Sequence, residues 1–67
     1  MNKVRYKVSI NWKGEVHTYY RWANSSAQAV RHAIRELARE VGYARKMVRD
    51  FVMDTGARRW EVEEWTQ

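Results

Sequence analysis

Between Lys3 and Trp22 apolar and polar residues alternate in two runs that meet at Lys13-Gly14-Glu15. In the first, Val4, Tyr6, Val8, Ile10 and Trp12 alternate with Lys3, Arg5, Lys7, Ser9, Asn11 and Lys13, the period of two that belongs to a strand with one buried face. In the second, Val16, Thr18, Tyr20 and Trp22 alternate with His17, Tyr19 and Arg21. The two runs predict a β-hairpin. Residues opposite one another on paired strands share a side of the sheet, so parity constrains the register. A two-residue loop at Lys13-Gly14 would set Trp12 against Glu15 and Ile10 against His17, apolar against polar. A three-residue loop pairs Trp12 with Val16, Ile10 with Thr18, Val8 with Tyr20 and Tyr6 with Trp22, with Gly14 supplying a positive φ. Parity therefore predicts the three-residue loop and one continuous apolar-aromatic face. The opposite face would carry Lys3, Arg5, Lys7, Asn11, Lys13, His17, Tyr19 and Arg21.

The pattern changes after Trp22. Ser25 followed by Gln28 has the spacing of a capping box, and Ala27, Val30, Ala33, Ile34, Leu37, Ala38 and Val41 recur every three or four residues. This predicts a helix over 26–41, with its apolar stripe on the hairpin and Gly42 as a left-handed cap. Arg31, Arg35 and Arg39 form a row on its far side, flanked by Glu36 and Glu40. Over 43–54, Ala44, Met47, Val48, Phe51 and Val52 fit a second amphipathic helix with Arg45, Lys46, Arg49 and Asp50 outward and Gly56 as its cap. A strand over 47–54, with Asp54-Thr55-Gly56 as a turn, is the alternative; the alternation there is poor, which favours the helix. Arg58 to Trp65 alternates again and predicts a final strand. The expected architecture is a single two-layer α+β domain over 1–67, ββααβ or alternatively ββαββ, its antiparallel sheet covered by helix on one face.

Composition adds three constraints. A chain of 67 residues buries only about 60% of the surface its unfolded form exposes, so the four Trp, four Tyr and one Phe must supply much of the buried area. There is no Cys, which excludes disulfides and cysteine-based zinc sites. No apolar run approaches the ~20 residues that span a bilayer, and no signal-peptide stretch is evident. A cytoplasmic protein is the expectation.

The net charge of +5 is unevenly spread. Residues 1–35 hold seven Lys/Arg against one acid, and 36–67 hold six against seven. The positive field thus belongs to the hairpin and first helix, where it attracts polyanions or an acidic protein surface; a solvated face that keeps a small protein soluble is the plainer reading. Catalytic signatures are missing. His17 and His32 are not at metal-ligand spacing, the serines lack a nucleophile-elbow context, and the glycines form no phosphate-cradling loop. A non-enzymatic protein without cofactor or metal is expected.

Nucleic-acid binding is the sharper expectation. Lys3, Arg5, Lys7, Lys13 and Arg21 would contact phosphates, His17 and Tyr19 would offer rings to bases, and the row of Arg31, Arg35 and Arg39 would extend the track. The competing expectation is a protein-interaction module that docks on an acidic partner, with Trp65 as an exposed anchor. The acids Glu61, Glu63 and Glu64 also allow a homodimer in which this strand meets the basic strand of a second copy.

Tyr6-Lys7-Val8, Trp12-Lys13-Gly14 and Ser25-Ser26-Ala27-Gln28-Ala29 resemble the layout of short bacteriophage- and prophage-encoded proteins in which a β-hairpin precedes a helix. The resemblance covers residues 4–38 and rests on structural residues, so it transfers no site. It implies an accessory factor that binds nucleic acid, or one that binds and inhibits a host protein.

Overall fold

The computed structural model describes residues 3–54 and 58–65. Two nine-residue strands, β1 (Val4–Trp12) and β2 (Glu15–Ala23), are followed by helices α1 (Ser26–Val41) and α2 (Arg45–Val52) and by strand β3 (Trp60–Glu64). The order ββααβ is therefore the observed one, and 47–52 is helical, not a strand. The three strands form one antiparallel sheet in the order β2-β1-β3, so the basic first strand is central and the acidic last strand lies beside it. Lys7 faces Glu63 across that pair. The acidic strand thus meets the basic strand of its own chain.

The hairpin register corrects the parity argument. Trp12 pairs with Glu15, Ile10 with His17, Val8 with Tyr19 and Tyr6 with Arg21, which is the two-residue loop that parity disfavoured. Lys13 (φ 52) and Gly14 (φ 88) both adopt positive φ, as in a type I′ turn, whose twist matches that of the flanking strands. The Gly14 N–H donates to Asn11 Oδ1 at 3.0 Å. The Lys13 ammonium sits 5.4 Å from the Trp12 ring centre and 5.0 Å from that of Tyr43, which offsets part of the strain of a non-glycine residue there.

This register turns His17, Tyr19 and Arg21 toward α1 and leaves Val16, Tyr20 and Trp22 exposed. The apolar-against-polar pairs are tolerated because α1 brings two carboxylates to β2. Tyr19 Oη donates to Glu40 Oε1 at 2.7 Å, and Arg21 Nη2 lies 3.6 Å from Glu36 Oε2. His17 Nδ1 is 3.5 Å from Glu40 Oε1, and its Nε2 is 3.2 Å from Glu15 Oε1 without hydrogen-bond geometry.

Helix α1 begins as the capping pattern predicts. The Gln28 N–H donates to Ser25 Oγ at 3.2 Å, and Gln28 Oε1 accepts from the Asn24 N–H at 2.7 Å. Gly42 closes the helix at φ 78, its N–H donating to the Ala38 carbonyl. Ala29, Val30, Ala33, Ile34, Leu37 and Ala38 are buried against Tyr6, Val8, Ile10 and Trp12 of β1, whereas Ala27 is exposed. From α2 come Val48 and Val52, both buried; Ala44 and Met47 stay exposed although the pattern placed them inward. Gly56 as a cap and Thr55-Gly56 as part of a turn lie outside the described residues.

Trp12 closes the hairpin end of the core, 4.9 Å from Phe51 and 5.6 Å from Tyr43 between ring centres. Arg59 ties β3 to α2: its guanidinium lies 4.1 Å from the Phe51 ring centre and donates to the Phe51 carbonyl at 2.8 Å. No helix among the described residues is long and apolar enough to cross a membrane.

Candidate nucleic-acid interface

Both helices cover one face of the sheet, and the molecule therefore presents two dissimilar broad surfaces. On the helical side, α1 contributes Arg31 and Arg35 and α2 contributes Arg45, Lys46 and Arg49 to the walls of a groove of about 560 Å³. The spacing explains the placement. Arg31 and Arg35, like Arg45 and Arg49, stand one turn apart on the polar side of their helices, and the packing of α1 against α2 turns the two rows toward one another. Gln28, His32 and Ile34 complete the lining, which contains no carboxylate. None of the five cations forms an ion pair among the described residues. The acids of α1 are engaged elsewhere: Glu36 with Arg21 and Arg39, and Glu40 with Tyr19 and His17.

The opposite surface is the uncovered face of the sheet. Arg5, Lys7, Ser9 and Asn11 come from β1, Val16, Thr18, Tyr20 and Trp22 from β2, and Glu61 and Glu63 from β3, with Trp65 just beyond. At one end the rings and cations interleave. The Arg5 guanidinium lies 5.2 Å from the Tyr20 ring centre, the Lys7 ammonium 5.1 Å from that of Trp65, and the Tyr20 and Trp65 rings meet edge to face at 5.5 Å. Trp22 stands across from Arg5 in the register and is 60% exposed.

The hairpin set expected from the sequence is thus divided. Arg5 and Lys7 lie outward as expected, and Lys3 is exposed just before β1. Lys13 sits at the turn against Trp12 and Tyr43. His17, Tyr19 and Arg21 are on the helix side, so the single basic face of the hairpin does not form. Tyr19 is only 7% exposed and cannot stack on a base. Burial first, and then its hydrogen bond to Glu40, push its pKa well above the ordinary tyrosine value, so it remains a neutral donor. Arg31 and Arg35 do line a shared surface, joined by Arg45, Lys46 and Arg49, which the sequence left as merely outward. A row of bases at helical spacing was visible in 45–49; that it would face the row in 31–35 depended on the docking of two helices. Tyr20 and Trp22 were missed for one reason, the register.

Trp65 is half-buried against Tyr20, not a free anchor. Among the described residues no group of three or more His, Cys, Asp or Glu is placed to hold a metal ion. No family model, curated protein or solved structure matches this chain.

Proposed function

We propose that this chain binds nucleic acid, and that the groove between α1 and α2 is its principal contact with the phosphate backbone. One observation carries this reading: Arg31, Arg35, Arg45, Lys46 and Arg49 surround a single concave surface with no carboxylate in its lining. Five like charges facing each other across a groove repel one another, and salt screens that repulsion only in part. A polyanion relieves it and releases its own condensed counterions on binding, which is the main source of affinity for a phosphate backbone. Arginine contributes further because its planar fork donates two hydrogen bonds to one phosphate. The rest of the positive field, on Lys3, Arg5, Lys7 and Lys13, steers a polyanion toward the molecule at longer range.

Titration with mixed-sequence single- and double-stranded oligonucleotides at low salt, in the presence and absence of polyglutamate, tests the proposal. Binding to both nucleic acids that a charge-matched excess of polyglutamate displaces poorly is the expected result. Absence of binding at low salt overturns it. Displacement by polyglutamate on equal terms would instead favour an acidic protein surface as the partner.

A further inference from the structure

We infer that the nucleic acid recognised is single-stranded, and that its unpaired bases stack on the uncovered sheet face at Trp22, beside Tyr20, Trp65, Arg5 and Lys7. This rests on the nucleic-acid reading above and specifies its substrate.

Trp22 carries the argument. Most aromatic residues here have a structural explanation: Trp12 packs on Tyr43 and Phe51, Tyr19 is buried against α1, and Tyr20 and Trp65 touch each other. Trp22 has no ring or cation partner among the described residues and leaves 60% of its surface in water. An indole facing outward near the end of the edge strand β2, with only two side-chain torsions to fix, offers a π surface at little cost in conformational entropy, and any base can stack on it. Its cross-strand neighbour is Arg5, the cation closest to the phosphate of a nucleotide so stacked. Lys7 lies two residues along the same strand, and Tyr20 provides a second, 37% exposed ring.

The acids on this face set the direction of the strand. Glu61 and Glu63 occupy the β3 side, where they repel phosphates, so the backbone is held toward β2 and the Arg5 end. The size of the molecule gives a second reason for single strands. It is only 20 × 19 Å in its two shorter dimensions, and a flexible strand can engage both the sheet face and the helical groove. A duplex, stiff over about 150 base pairs, keeps its bases stacked and cannot curl around such a body.

The test compares three probes: a single-stranded oligothymidylate, a duplex of the same length, and inorganic polyphosphate, which has charge but no bases. Trp22→Ala is expected to weaken single-strand binding roughly 5- to 150-fold, the range for loss of one base-aromatic stack. Duplex and polyphosphate affinities should stay within about twofold, because they use phosphate contacts alone. Trp22→Leu separates stacking from apolar area and should behave like the alanine variant, while Trp22→Phe should recover part of the affinity. If all three probes bind but single-strand affinity is indifferent to these changes, or all three weaken equally, the stacking inference is overturned and the groove proposal stands. If no probe binds the unaltered protein, both fall.

Discussion

Tyr19 occupies a position that alternation alone assigns to solvent, and a short list of contacts decides otherwise. Its ring is buried between β2 and α1, and its hydroxyl donates to Glu40. Tyr19→Phe keeps the ring and deletes the donor. Since Glu40 remains half-exposed and can bind water, the loss should be about 1.5 kcal/mol, the lower end for a bond to a charged partner, read as a shift in the denaturant midpoint. The pH dependence follows from the raised pKa. The folded value lies above the unfolded value of ~10, so the stabilisation is fully present below that pH and is lost as pH rises toward the folded value. The phenylalanine variant should therefore lose less stability above pH ~10 than the unaltered protein does.

Among the secondary-structure elements, the helices were legible and the hairpin register was not. The stripe from Val30 to Ala38, the Ser25–Gln28 pair and Gly42 each act within a few residues, and physical causes that local can be read from spacing. Ser25→Ala should cost about 1 kcal/mol, measurable by thermal unfolding. The register depended on partners distant in sequence. Parity weighed β2 only against β1, where His17 and Arg21 look misplaced; Glu36 and Glu40, about twenty residues on, make their positions favourable. Turn geometry was the local signal that parity underweighted. A Cβ on Gly14 would meet nothing within 4 Å, so Gly14→Ala isolates the backbone term and should destabilise by about 1 to 2 kcal/mol. Lys13→Gly should be close to neutral in the same assay, because relief of strain is set against the loss of contact with Trp12 and Tyr43 and a more flexible unfolded chain.

At the scale of the whole molecule, the charge asymmetry visible in the sequence has a different shape in three dimensions. The basic strand β1 is partly neutralised by the acids of β3 beside it, while bases from both halves of the chain gather between the helices. Arg31 and Arg35 were recognisable as candidates; their convergence with Arg45, Lys46 and Arg49 was not, since it depends on the packing of α1 on α2. The outer sheet face likewise gained Tyr20 and Trp22 only through the register. The most direct test of the account is the salt dependence of duplex binding, because it counts phosphate contacts without involving the sheet-face rings. If the five groove cations all engage phosphates, log K should fall against log salt with a slope of about −4 to −5. Replacing Arg31, Arg35, Arg45 and Arg49 together with alanine should flatten that slope by roughly 3 to 4, each lost phosphate contact removing about 1, and leave the fold intact. An unchanged slope in that folded variant, or binding indifferent to salt, would contradict the groove as the phosphate site.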